Sequence, residues 1–223
     1  MTKSITYTKT AIGAVLVAVT ALSFALITPT QASNGDYRVT IQNISNAIVT
    51  PPVVALSKKN NAQFFTIGEA SSVALEMLAE GGDTSGLVAD FEENSRTSVV
   101  AHDAPLMPGA SVELNLSGQG SGYLYVAGML LPTNDAFVAL NGERIRGGKK
   151  TQVFYASSYD AGTEANTEAD GTIPGPFGGE GFNEDRDDVD FIHPHPGLHG
   201  QGDIDATEFN WEGPVLKITV ERI

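Results

Sequence analysis

Tyr37-Arg38-Val39-Thr40-Ile41-Gln42-Asn43 alternates apolar with polar residues, the period of a strand that buries one face and wets the other. Residues 43–46 supply the turn chemistry that ends it. The far end of the chain repeats the pattern: Val215, Leu216, Ile218 and Val220 are set against Lys217, Thr219 and Glu221. Between them lie short runs rich in β-formers, at 53–56, 97–101, 111–116, 123–131 and 151–156. Pro108-Gly109 and the glycines from Gly118 to Gly122 punctuate them. Thr50-Pro51-Pro52 breaks regular structure before the second run. Helix is expected over 70–80, where Ser71 or Ser72 caps the start and Gly81 ends it. A second short helix over 84–92 turns Leu87, Val88 and Phe91 to one side. Many short strands around one or two short helices predict a mainly β fold, an antiparallel β-sandwich.

The N-terminus reads as a secretory signal. Lys3 and Lys9 make a positive start, residues 11–27 are an apolar-rich run, and Thr30-Gln31-Ala32 offers small residues for cleavage after Ala32. The run also approaches the roughly 17–25 residues that span a bilayer, so an uncleaved anchor is the competing reading. Cleavage leaves residues 33–223 as one domain of ordinary size, secreted or periplasmic, with no stable membrane insertion. There is no cysteine, hence neither a disulfide nor a lipid-attachment thiol. Removing residues 1–32 takes two of 13 basic residues and none of the 27 acidic ones, giving 11 − 27 = −16. That balance excludes a nucleic-acid groove and makes cations the natural partners. It also serves solubility, so a site has to be found residue by residue.

Residues 160–213 form a long stretch dense in Gly, Pro, Asp and Glu without period, which is expected to be functional or disordered. Within it, Asn183-Glu184-Asp185-Arg186-Asp187-Asp188-Val189-Asp190 places oxygen donors at alternating positions. It fails as an EF-hand loop: counted from Asn183, the sixth residue is Asp188 where Gly is needed, and the twelfth is Pro194 where a bidentate Glu is required. It reads as a solvated acidic loop, with a loose second calcium site as the alternative. His193, His195 and His199 fall within seven residues and suit a transition metal. The prolines between them preclude the i, i+4 geometry of zinc hydrolases, and packed or turn-bonded loop histidines are the plainer reading. No cysteine nucleophile or G-x-S-x-G elbow is present, and His102 beside Asp103 is only an adjacency. Trp211, the only tryptophan, is expected to anchor the core or pin the long loop.

Three segments carry a resemblance. Ile67-Gly68-Glu69-Ala70-Ser71 leading into Leu75-Glu76-Met77-Leu78-Ala79-Glu80-Gly81 is similar to the "AS-x-G-L…AE-x-G" helix of spondin domains. Residues 131–141, with Pro132, Asn134-Asp135-Ala136-Phe137-Val138 and Asn141, look like that family's "P-S-P-D-W-F-V-G-V-D". Tyr159-Asp160-Ala161-Gly162-Thr163 matches its "Y-D-A-G-T" turn. The order is the family's, the likeness covers residues 36–223, and the wording is closest to bacterial members. The resemblance implies a C2-like antiparallel β-sandwich whose end loops gather carboxylates around calcium, in a non-enzymatic module for extracellular adhesion to cell-surface or matrix proteins or glycans. Carried over, the ligand positions fall on Asp135 and Asp160. A third, on a preceding strand, falls on Glu113, with Asn115 as the alternative. Phe137 and Tyr159 would pack beneath the ion. The departures are Ala136 in place of the motif Trp and Asn141 in place of Asp, the latter lowering the expected charge. A metal-dependent enzyme or transition-metal protein using His193, His195 and His199 is the competing function; a matrix or biofilm component indifferent to ions is the third.

Overall fold

The computed structural model describes residues 36–223 apart from Ser95, Gln119 and Lys149; the expected signal segment, 1–32, lies outside the described residues. Ten strands form one antiparallel sheet that curls into a nearly closed barrel or sandwich. They are β1 (Tyr37–Asn43), β2 (Ile48–Val49), β3 (Val53–Ser57), β4 (Thr97–Ala101), β5 (Ser111–Leu116), β6 (Gly122–Leu131), β7 (Ala136–Ile145), β8 (Gln152–Asp160), β9 (His193–Pro194) and β10 (Leu216–Arg222). The order is β4-β3-β6-β7-β8-β10-β1-β5, with β2 added to β6 and β9 to β8. The two ends of that order come together, and the backbone N–H of Ser117 donates to Ser98 Oγ across them at 3.2 Å. Three short α-helices, α1 (Val73–Gly81), α2 (Ser85–Glu92) and α3 (Ala206–Phe209), and two 3-10 turns at Asp170–Thr172 and Gly175–Phe177 complete the described elements. None of them is long and apolar enough to cross a membrane.

Two apolar layers explain which strands alternate in sequence. Val39 and Ile41 of β1, Val54 and Leu56 of β3, Leu124 and Val126 of β6, Val138 and Leu140 of β7, and Ile218 and Val220 of β10 fill the interior. The opposite face of β3, β6 and β7 carries Val53, Ala55, Tyr125, Ala127, Phe137 and Ala139, and is covered by Leu75, Leu78, Ala79, Leu87 and Phe91 of α1 and α2. Central strands buried on both sides read as continuous apolar runs. β1 and β10, wet on one face, keep the period of two. Each fully buried Leu or Val contributes about 1.5–3 kcal/mol by leaving water.

α1 starts where a serine can cap it: Ser72 Oγ accepts from the N–H of Leu75 at 3.2 Å, and Gly82, at φ +70°, closes the other end. Unlike an ordinary amphipathic helix, it buries two acids, Glu76 and Glu80. β7 was invisible to periodicity, because five buried residues precede a bulge. The register slips between Leu124 and Tyr125, leaving Gly142 unopposed at φ +92°, a conformation that favours glycine. The chain between β8 and β10 is built rather than free. It has few regular elements, yet sends Ile173, Leu198, Ile204 and Trp211 into the interior and Ile192 into the helix-covered layer.

Candidate metal centre

Asp135 immediately precedes β7 and Asp160 ends β8. Because Ala136 pairs with Asp160 in the β7–β8 ladder, the two carboxylates arrive side by side at one end of neighbouring strands. Both are fully buried. The turn after β8 wraps them. Asp135 Oδ2 accepts from the N–H and hydroxyl of Thr163, at 2.8 and 3.2 Å, and from the N–H of Glu164 at 3.1 Å. Asp160 Oδ1 accepts from the N–H of Gly162 at 2.8 Å, and its Oδ2 from Asn166 Nδ2 at 2.7 Å. Gly162 is required here: it sits at φ +71°, and a Cβ would lie 2.4 Å from the Phe191 carbonyl oxygen.

The second oxygen of Asp135, Oδ1, is buried without a hydrogen-bond partner among the described residues, and so is Oε1 of Glu80 on α1. A buried carboxylate oxygen in that state bears a large desolvation cost. The cluster extends to Glu164. Burial pushes its carboxyl up to about 8, helped by the charges of Glu80 and Asp135. Asp135 is pushed up to about 7, first by burial and then by Asp160. Glu80 is likewise raised by burial, although the Thr163 hydroxyl and the N–H of Asn183, 3.1 Å from Oε2, oppose the shift. Among the described residues no Lys or Arg ion-pairs with Asp135, Asp160, Glu164 or Glu80; the Arg186 guanidinium is taken by Glu76, at 2.6 Å, and Asp190.

The structure brings together Asp135 and Asp160 as the motifs implied, but not Glu113. Glu113 lies on β5 opposite Thr40, its exposed side chain 3.9 Å from Arg38, and β5 is three places from β8 in the sheet. Asn115 shares that exposed face. The reason is topological: β5 is an end strand paired with β1, so its polar side faces water. Asn141 is also elsewhere, holding the 64–65 segment by donating to the Phe65 carbonyl at 2.8 Å and accepting from the N–H of Phe64 at 3.3 Å. Phe137 and Tyr159, next in sequence to the two aspartates, pair in register and stack with centroids 5.6 Å apart.

The histidines separate. His195 is buried against Trp211; its Nδ1 accepts from the N–H of Gly197 at 3.0 Å, so Nε2 carries the proton and donates to Asn166 Oδ1 at 3.2 Å. Burial pushes this ring down to about 4, keeping it neutral. His199 stands beside Glu168, 3.6 Å from its Oε1. His193 and His195 both approach Asp160, with Nε2 at 3.5 Å from Oδ1 and 4.0 Å from Oδ2 respectively, but both ring nitrogens of His195 are taken by Gly197 and Asn166 and His199 lies against Glu168, so the three do not form one ligand set. Trp211 pins the loop as expected, with Nε1 donating to Ser158 Oγ at 2.9 Å. The 183–190 run keeps most of its acids in water, as expected, and is docked as well: Arg186 clamps it to Glu76 and to the Ser71 carbonyl, and Asp187 Oδ1 accepts from the N–H of Ala165 at 2.8 Å.

Sequence reasoning missed Glu80 and Glu164, and reached Asp188 only as part of the 183–190 run, whose alternative reading was a loose second calcium site. Glu164 was one step beyond the Tyr159-Asp160-Ala161-Gly162-Thr163 match. Glu80 gave a weaker signal, an acid among the apolar positions of its helix. The fold and site define a mainly β protein with a buried, uncompensated cluster of carboxylates at one end of its sheet. No family model matches the chain, and no curated protein matches it.

Proposed function

We propose that this chain is an exported, non-enzymatic binding module of the spondin type that holds calcium with Asp135, Asp160 and Glu164, and thereby sets the shape of an adhesive end. The observation that carries the reading is the Asp135 Oδ1 atom, buried beside a second buried aspartate with no donor among the described residues to satisfy it. Calcium takes oxygen ligands only, six to eight of them, often from loops, and tolerates irregular geometry. An all-carboxylate cluster with amide and carbonyl neighbours suits it better than it suits softer metals. Glu164 takes the third place that the motif comparison gave to Glu113, and Glu80 completes the negative surroundings. A bound ion would stiffen the 160–190 segment, and the surface so formed would meet cell-surface or matrix protein or glycan.

The test is calorimetric titration of calcium into the chelator-treated protein and into Asp135→Asn. Saturable binding with a raised melting temperature is expected, and the variant should lose both. The neutral amide should also make the ion-free protein more stable, because it removes a buried repulsion. No binding by the parent protein sinks the proposal.

A further inference from the structure

A second set of donors converges on the other side of Asp160. One ligand atom from each of Asp160, Asp188 and His193 lies within 4.8 Å of the other two. β9 places His193 directly opposite Asp160 in the β8–β9 pairing. The tautomer of His193 follows from its neighbour. Nδ1 lies 3.2 Å from the Pro194 carbonyl oxygen, and a carbonyl only accepts, so Nδ1 carries the proton. In the neutral ring Nε2 is then a bare lone pair, and it faces Asp160 Oδ1 at 3.5 Å. Two acceptors confronting each other at that distance repel unless a proton or a metal ion stands between them. An imidazole that gives its far N–H to a carbonyl and aims its near nitrogen at carboxylates is the arrangement found around bound metals.

We propose that Asp160, Asp188 and His193 form a seat for a divalent transition-metal ion, distinct from the calcium cluster and sharing only Asp160 with it. One imidazole nitrogen with two carboxylates suits zinc, whose sites use such mixed donors, whereas calcium takes oxygen alone. Three protein ligands leave a coordination position open. It faces outward, since Asp188 and His193 are each only half-buried while Asp160 closes the inner side. The seat therefore admits a water or an outside ligand, such as a side chain of a partner.

Zinc is the probe. Titrated into the chelator-treated protein with calcium in excess, it should bind once per chain. Asp188→Asn and His193→Gln, both at half-buried positions, should each weaken zinc by more than the roughly 10–100-fold that loss of an outer-shell partner costs. Calcium binding should survive in both, and Asp135→Asn should leave zinc binding in place, which keeps the failure of one seat distinguishable from failure of the other. Absence of saturable zinc uptake overturns the proposal, as does uptake unchanged in both variants.

Discussion

Asp135 and Glu164 hold protons far above the ordinary range of their side chains, at about 7 and about 8 against 3.8 and 4.5. Between the two sets of values the folded chain binds more protons than the unfolded one, so ion-free stability falls as pH rises through that window. His195, at about 4 against 6.5, acts in the opposite sense: the unfolded chain takes its extra proton, and stability grows until about pH 6.5. From about pH 6.5 to 8 the acids act without that opposition. Thermal melts in chelator should therefore lose stability across this interval, and calcium, which competes with those protons, should reverse the trend. Ion-free melts that rise from pH 6.5 to 8 would contradict this. The two aspartates were legible because each lies in a local motif. Glu80 and Asp188 were not, since their roles depend on segments far apart in sequence: the N–H on Glu80 comes from Asn183.

Helix α1 shows how one element is tied to an irregular one. Glu76 is almost wholly buried and takes two bonds from Arg186, at 2.8 and 2.6 Å, while the same guanidinium reaches the Ser71 carbonyl at 3.1 Å. Removing the cation leaves a buried carboxylate alone. Arg186→Ala should cost about 3 kcal/mol, the low end for a broken buried pair, because Arg186 keeps part of its side chain in water. Urea unfolding measures it, and a loss below about 0.5 kcal/mol would place the pair among ordinary surface bridges. Strands β1 and β10 and helix α1 were legible because a wet face or a capping serine marks them. The first half of β7 is buried throughout, and β2 and β9 are two-residue pairings made only by docking, so no local pattern announces them.

The whole molecule combines a barrel closed by apolar packing with an end closed around carboxylates. These two parts differ in what they need. Calcium at 100 times its dissociation constant would add about 2.7 kcal/mol, and its removal should be felt first where the acids repel. Limited proteolysis in chelator should cut within 163–190 before any strand of the barrel, and calcium should suppress those cuts. Early cleavage within β6 or β7 would show that the two parts unfold together.

The meeting of β4 with β5 has a further consequence. A sheet edge normally exposes a row of unpaired backbone groups onto which another chain can stack. Here the two outermost strands approach each other and are tied by one hydrogen bond between Ser117 and Ser98, although no backbone ladder joins them among the described residues. The nearness of the two edges narrows the space in which a neighbouring chain could stack on either one. The same approach leaves less room for a visiting peptide to join as an extra strand and shifts recognition toward side chains and end loops.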